Sequence, residues 1–463
     1  MTDYLLKLVP VEPFQLVYDN DIDSFIPELW ANEALLILEN NMVAANLVYR
    51  DFEPYVANFG DTVHTRRFGA INPKRKVYAD NVVVQDVSAA DVAILLNQHI
   101  HTSFLIRDGE ESKAFQDLVN AFLKPAMIGQ ANFIDQMILG QYPFFLGNSY
   151  GTLGALDSTN AKVNILGTRQ VMNQNKAPLQ GRAMVLNPAS EAAILSLDLF
   201  LGALNVGDQG QALKEAALGR KLSFDMYMDQ NMSSVPAVST ATSDTTSAAY
   251  PAGTTSMVLV SVVTYTAGEW VTVAGDMTPL QVVSYTAGTK TLVVAAPGLK
   301  HAVASGAAVK GYTPGAVNLS GGYALGYAKE ITVSGFSVAP QIGQFVTFAA
   351  STTPYTIMAV NGLVGITLDR PLDAAINNSD AVNLGPPGNY NLAFVPNAIA
   401  LVVRPLAKPK AGTGALSAVA NYNGLSIRTT ITYDGNKQGH LVTLDMLAGI
   451  KVLDTNLGAV LLG

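Results

Sequence analysis

The spacing of apolar residues predicts a helix near the start of the chain. Leu35, Leu38 and Met42 recur at intervals of three and four, which places them on one helical face. Pro27 precedes this run, and proline is favoured in the first turn of a helix. We therefore predict an extended arm followed by one helix within residues 1–54.

From about residue 55 the pattern changes to short strands separated by polar turns. Residues 68–76, between the first two strand candidates, have no apolar face that could form a core. Such a segment is typical of the tip of a projecting hairpin, and we predict a hairpin with flanking strands over residues 55–106. The strand candidates are Thr62–Arg66, Val82–Val84, Asp91–Leu96 and Thr102–Ile106.

Residues 110–140 show the clearest helical period in the chain. Phe115, Val119 and Phe122 fall on one face. Pro125 lies inside the segment, and an interior proline removes a backbone hydrogen bond and kinks or divides a helix. We expect a long helix that is bent or split near this proline.

Short strands and helices alternate from there to residue 235. Ala183–Leu186 is apolar throughout and is predicted to be a buried strand. Asn187-Pro188 follows it directly, a capping residue ahead of a proline, which indicates the start of a helix.

The composition changes at about residue 236. Ser233–Ser256 is rich in Ser, Thr, Ala and Pro and is interpreted as a linker or long loop. Beyond it Thr, Val, Ala and Gly dominate, with short strands between turn signals, which favours all-β structure. Because mixed patterning returns in residues 393–463, we predict that residues 236–392 are a β-rich insertion into one parent domain.

The β-rich region also repeats itself. Gly268–Ala274 lines up with Gly343–Ala349, and Thr278-Pro279 lines up with Thr353-Pro354, at an offset of about 75 residues. Two copies are too few for a solenoid. The pattern leaves open two similar β-units, one duplicated barrel, or chance similarity among strands rich in Val and Thr.

Composition narrows the class of protein. The 463 residues exceed the size of one ordinary domain, and 49% are hydrophobic while 14% are charged, which excludes a disordered chain. No apolar run approaches the ~18 residues of a membrane-spanning helix, and Met1–Lys7 lacks a leader pattern, so we expect neither membrane segment nor signal peptide. The net charge of −8 argues against a nucleic-acid binder taken as a whole.

The sequence contains no recognisable catalytic motif. The absence of cysteine removes disulfides, thiolate metal sites and thiol nucleophiles together. There is no phosphate-binding glycine loop and no His-Glu-x-x-His. His99 and His101 would share one face of a strand, but no third ligand lies nearby, and we interpret them as ordinary strand histidines. We expect no enzyme, no cofactor and no resident metal.

One basic patch lies on the predicted hairpin. It could contact nucleic-acid phosphates, pair with an acidic surface of another subunit, or simply solubilise a loop tip. Pairing with another subunit is the preferred interpretation because the rest of the chain is net acidic. The candidate contact residues are Arg66, Arg67, Lys74, Arg75 and Lys76, with His64 beside them.

Strings of residues toward both ends of the chain resemble one family. Phe25–Trp30, Asn46–Asp51 and Asn97–Phe104 resemble the major capsid proteins of tailed phages (Caudovirales), specifically the P-twenty-two-like coat protein group. The resemblance returns in Gly424–Arg428 and Leu444–Lys451. The order and spacing of the strings carry the match, and the β-rich middle is only weakly matched.

The resemblance implies an α+β chain with the Hong Kong ninety-seven capsid fold and an inserted all-β domain. The regions that it implies are 1–54 for the N-terminal arm, 55–106 for the E-loop hairpin and flanking strands, 107–235 for the spine helix of the peripheral domain and the first part of the axial domain, 236–392 for the insertion, and 393–463 for the remainder of both domains.

The implied function is self-assembly, through hexamers and pentamers, into an icosahedral virion head that encloses double-stranded DNA without sequence-specific binding. Assembly would take place in the bacterial host cytoplasm, with a scaffolding protein, a portal and a decoration protein as partners. Two rivals remain open. A surface-layer or adhesin-like protein would account for the Thr- and Val-rich repeats, and an encapsulin-like nanocompartment shell would have the same fold.

Overall fold

The computed structural model shows four α-helices and 26 strands among the residues that it describes. The described residues are 27–52, 57–68, 74–76, 78, 81, 89–109, 118–154, 156–197, 218–236, 242–312, 314–336, 338–351, 353–410, 412 and 414–463. The α-helices are α1 (Pro27–Asn41), α2 (Lys124–Leu139), α3 (Ala161–Gln174) and α4 (Pro188–Leu195).

The strands form a hairpin, two open sheets and two barrel-like units. In chain order they are β1 (Thr62–Phe68), β2 (Ala89–Leu95), β3 (Gln98–Arg107), β4 (Ser149–Gly151), β5 (Ala183–Leu186), β6 (Arg220–Lys221), β7 (Phe224–Met228), β8 (Ser234–Val235), β9 (Thr242–Thr245), β10 (Ser256–Val258), β11 (Trp270–Val273), β12 (Leu280–Thr286), β13 (Thr291–Val294), β14 (Ala308–Gly311), β15 (Gly315–Val317), β16 (Ile331–Ser334), β17 (Phe345–Phe348), β18 (Tyr355–Asn361), β19 (Gly365–Leu368), β20 (Ala381–Leu384), β21 (Gly388–Phe394), β22 (Ile399–Arg404), β23 (Leu416–Tyr422), β24 (Leu425–Asp434), β25 (Gly439–Val452) and β26 (Gly458–Leu462).

A five-stranded antiparallel sheet lies over helices α1 and α2. Its order is β22-β25-β24-β23, and β3 pairs along β25 on the other side. Successive side chains of a strand point to opposite faces. Ile100 and Ile106 of β3 therefore enter the core, whereas His99 and His101 lie on the opposite, more exposed face.

The second open sheet is mixed and has seven strands. Its order is β4-β26-β21-β5-β7-β6, with β8 paired to β21. Helices α3 and α4 cover one face through Ile165 and Ile194. The other face, with Leu392 and Val460, joins the core under the five-stranded sheet. Strands β21 and β26 follow the barrels in the chain, yet they lie between β4 and β5.

Residues 242–384 form two barrel-like units with the same strand order. The first is β10-β13-β12-β11-β14-β9, and the second is a closed barrel that repeats this order from β15 to β20. In the first unit, Val260 N–H donates to Thr245 C=O at 2.9 Å and joins the two outer strands. Each unit has its own apolar core. Of the alternatives left open by the sequence, two similar β-units agrees best with this arrangement.

The two units also share hydrogen bonds inside their turns. Glu269 Oε2 accepts from the backbone N–H of Thr266 at 2.9 Å, and Gln344 Oε1 accepts from the N–H of Gln341 at 3.1 Å. These pairs precede β11 and β17 at equivalent positions. Shared strand order and shared turn contacts together argue against chance similarity.

Several predicted elements are confirmed. The strand Ala183–Leu186 is buried throughout, and the Asn187 side chain caps α4 by accepting from Ser190 N–H at 2.8 Å. Of the helix predicted over residues 110–140, residues 110–117 lie outside the described part. From Leu118 a π-helix, Val119–Leu123, leads directly into α2 at Lys124. Pro125 thus lies in the first turn of α2, where proline is favoured.

Two predictions are wrong in detail. Helix α1 was expected to include Met42 but ends at Asn41, because the chain turns into a 3₁₀ helix, Ala44–Asn46, held by a buried carboxylate. The predicted linker contains strand β9, since Thr side chains suit a half-buried strand as well as a loop. The last strand of the second barrel, β20, ends at Leu384, and β21 runs from Gly388 to Phe394.

Candidate assembly surfaces

The hairpin β1–β2 is the most isolated element of the described chain. Its register runs from Thr62 opposite Leu95 to Phe68 opposite Ala89, and within the described residues neither strand pairs with a further strand. Val63 and Ile94 pack at its base in an apolar cluster that includes strand β22. An isolated two-stranded ribbon is marginally stable in water, so this contact at the base is what anchors the hairpin to the rest of the described chain.

The structure places the predicted basic residues in two groups. Arg66 and Arg67 lie on β1, opposite Asp91 and Ala90, and their side chains are outside the described part. Lys74, Arg75 and Lys76 are exposed beyond the strand. The candidates Val82–Val84 and the arm before Pro27 also lie outside the described residues.

His64, beside the basic patch, contacts a carboxylate on the neighbouring strand. Its Nδ1 lies 2.6 Å from Asp91 Oδ2, and both side chains are more than half exposed. An exposed pair of this kind contributes only ~0–1 kcal/mol. Exposed apolar side chains accompany it: Phe59 is 61% exposed and Tyr78 is fully exposed.

A buried carboxylate joins α1 to α2. Asp135 accepts the backbone N–H groups of Val43 at 2.7 Å and Ala45 at 2.9 Å. Burial is the largest influence on this carboxyl group, and it raises the pKa of Asp135 to about 7. The partners are some 90 residues apart in the chain, so no sequence pattern indicated the contact.

A row of charged and histidine side chains crosses one face of the five-stranded sheet, from β24 through β25 to β3. Arg428 Nε donates to Asp445 Oδ1 at 2.8 Å, and His99 Nε2 lies 3.2 Å from Asp445 Oδ2. His101 stands directly opposite Asp445 in the strand register. Sequence reasoning found the two histidines but missed the carboxylate and the guanidinium.

Polar contacts, several of them buried, attach both barrels to the rest of the described chain. Gln141 Nε2 donates to Asp369 Oδ2 at 2.8 Å, and Arg370 Nη1 donates to the same oxygen at 2.9 Å. In the first barrel, Lys300 Nζ donates to the carbonyls of Leu146 and Ser149, each at 3.1 Å. Burial lowers the pKa of this lysine to about 8.

A cavity of about 440 Å³ opens between β3, α2 and the second barrel. Its lining includes His99, His101, Gln98, Gln130 and Arg370. Within the described residues, no three or more histidine, aspartate or glutamate side chains converge as a metal site. In the same part of the chain, no helix combines the length and apolarity needed to cross a bilayer.

Comparison with known proteins gives structural neighbours only. No protein-family model and no curated protein matches the chain. It is similar to a structure of Mycobacterium phage Che8, with 13% identity over 90% of both chains and a TM-score of 0.41. It is also similar to the capsid structure of cyanophage P-SCSP1u, with 10% identity over 90% and 91% of the two chains and a TM-score of 0.40.

A third neighbour comes from the mature capsid of bacteriophage PhiM1, with 9% identity over 89% of this chain and 86% of that chain and a TM-score of 0.37. Two of these are phage capsids.

Proposed function

We propose that this chain is the major capsid protein of a tailed bacteriophage, a structural subunit that assembles into the icosahedral head around double-stranded DNA. The hairpin β1–β2 carries the proposal. It extends beyond the apolar cluster at its base, continues into the exposed Lys74–Lys76, and pairs with no other described strand. A subunit with a projecting ribbon of this kind is suited to a lattice of identical copies.

The resembled strings support the same function because they meet in space. Asn97–Phe104 includes the first seven residues of β3, Gly424–Arg428 includes the start of β24, and Leu444–Lys451 lies in β25. These three strands are neighbours in the five-stranded sheet over α2. Segments more than 300 residues apart in sequence thus form one surface of the proposed peripheral domain.

The partners follow from the proposed role. The chain would form hexamers and pentamers with itself, guided by a scaffolding protein and a portal, with a decoration protein on the finished shell. Assembly would occur in the bacterial cytoplasm and yield the virion capsid. The net charge of −8 suits a shell that encloses DNA without binding a specific DNA sequence.

Negative-stain electron microscopy of the purified chain, alone and coexpressed with candidate scaffold genes, tests the proposal. Closed shells are expected. Flat lattices would favour a surface-layer protein instead, and closed shells that carry host enzymes as cargo would favour a nanocompartment. Persistent monomers under both conditions would contradict the capsid assignment.

A further inference from the structure

Two histidines on strand β3 lie side by side and line the 440 Å³ cavity. His99 and His101 share the exposed face of the strand, and their ring centroids are 6.0 Å apart. Imidazoles at this separation can reach a common ion with small side-chain rotations, since each zinc–nitrogen bond spans ~2.0–2.1 Å.

The Asp445 carboxylate fixes the proton of His99. Both Asp445 oxygens contact the Arg428 guanidinium, so this carboxylate acts as an acceptor toward the imidazole. His99 Nε2, 3.2 Å from Asp445 Oδ2, is therefore the donor. With Nε2 as the donor, Nδ1 of the ring is directed away from the carboxylate and is the atom that can bind a metal. A carboxylate hydrogen-bonded to an imidazole in this way fixes the orientation of the ring.

The second imidazole is free to bind. No described residue forms a hydrogen bond with the His101 ring, and the residue is exposed. Two buried amides also lack partners near this cavity: Gln98 Nε2, on the face of β3 opposite to the histidines, and Gln130 Oε1, on α2, have no hydrogen-bond partner among the described residues, although the two residues are only 7% and 2% exposed. Both residues line the cavity, and buried polar groups without partners are rare in folded proteins.

We propose that His99 and His101 bind a divalent transition-metal ion, with water completing its coordination. Imidazole nitrogen suits Zn²⁺, Cu²⁺ and Ni²⁺, whereas Ca²⁺ and Mg²⁺ require oxygen ligands. Asp445 is the positioning residue for His99. The site lies on a single sheet edge of one chain and does not depend on the proposed capsid role.

Isothermal titration of the tag-free chain with Zn²⁺ tests the site. We expect saturable binding near one ion per chain, weakened by roughly 10- to 100-fold or more in His99→Gln and in His101→Gln. The matched control is His64→Gln, because His64 also contacts a carboxylate but has no second imidazole two residues away. Unchanged thermal unfolding of each variant without metal shows that folding is intact. Absence of Zn²⁺ binding, or equal loss in all three variants, overturns the proposal.

A spectroscopic variant identifies the ligand directly. The chain has no cysteine, so His101→Cys introduces its single thiol at the proposed coordination position. Co²⁺ added to this variant should produce a thiolate-to-cobalt charge-transfer band that the His64→Cys variant lacks. If the band is missing from His101→Cys, or is equally strong in both variants, residue 101 is not a metal ligand.

Discussion

The carboxylate of Asp135 is the clearest example of one side chain deciding the path of the backbone. Apolar spacing alone would continue α1 through Met42, but the N–H groups of Val43 and Ala45 are instead held from the side by α2. A carboxylate buried in this way is poorly solvated, which raises its pKa. Its protonation therefore affects the stability of the junction between the two helices.

We expect the stability contributed by Asp135 to fall as the pH rises from about 4 to about 7. The folded-state pKa, about 7, is above the usual value of 3.8, so the folded chain binds more protons than the unfolded chain in this window. The stabilisation by Asp135 is complete at pH values below its usual pKa and is lost as the pH rises through its folded-state pKa. Thermal unfolding should show a larger advantage of wild type over Asp135→Asn at about pH 4.5 than at about pH 7.5.

The control for this experiment is Glu28→Gln, which removes an exposed carboxylate from α1. The difference in thermal stability between wild type and Glu28→Gln should not shrink as the pH rises, unlike the difference expected for Asp135→Asn. An Asp135→Asn difference that stays constant between the two pH values would contradict the assignment.

Two helical glycines should respond oppositely to alanine. A Cβ at Gly167 in α3 would lie 2.1 Å from the Tyr150 ring, whereas a Cβ at Gly129 in α2 meets nothing within 4 Å. We expect Gly167→Ala to destabilise the chain by about 1–3 kcal/mol and Gly129→Ala to stabilise it by about 0.5–1 kcal/mol. Denaturant unfolding measures both changes, and effects of the same sign would refute the packing described for α3.

At the scale of elements, we expect the hairpin to be dispensable for folding of the monomer but necessary for the proposed assembly. Deletion of residues 66–77 should leave a folded monomer, because the base of the ribbon packs through Val63 and Ile94. The same deletion should impair shell formation by removing the exposed Lys74–Lys76. Circular dichroism checks folding, and electron microscopy counts shells.

A charge reversal at Lys74, Arg75 and Lys76 refines this test, with Lys329→Glu as a control on an exposed lysine of the second barrel. Pairing with an acidic neighbour predicts fewer shells for the triple reversal than for the control. Normal shell yield from the deletion variant would remove the hairpin from the assembly surface.

Local signals predicted local elements well. Asn187-Pro188 indicated the start of α4, and short runs between polar turns indicated β1 and the second half of β3, because such signals depend on a few adjacent residues. The π-helix at Val119–Leu123 had no such signal, since a widened turn preserves the apolar pattern. The partnership of His99 with Asp445 spans 346 residues and depends on strand register, which a single sequence does not encode locally.

At the scale of the molecule, the two barrels should fold without the parent domains. A fragment of residues 236–386 contains both apolar cores and ends before β21. Trp270 is its single tryptophan and packs against Phe345 of the other barrel, with ring centroids 4.8 Å apart. We expect a β-type far-UV spectrum and cooperative unfolding reported by tryptophan emission.

A shorter fragment ending at residue 330 is the matched comparison. It keeps the first barrel but leaves β15 without its neighbours β16 and β20. It should lose the Phe345 contact and shift the emission of Trp270. A disordered spectrum for the 236–386 fragment would show that the barrels require the parent domains.

The placement of β21 and β26 between β4 and β5 imposes an order of events on synthesis. A ribosome makes β4, β5 and β7 before either barrel and supplies the two intervening strands only after both. Roughly 230 residues separate β7 from the end of β26. At a translation rate of roughly 5–20 residues per second, the edges of β4 and β5 therefore remain unpaired for about 10 to 50 s. The seven-stranded sheet of a nascent chain therefore cannot close until both barrels have been synthesised and β21 and β26 have followed them.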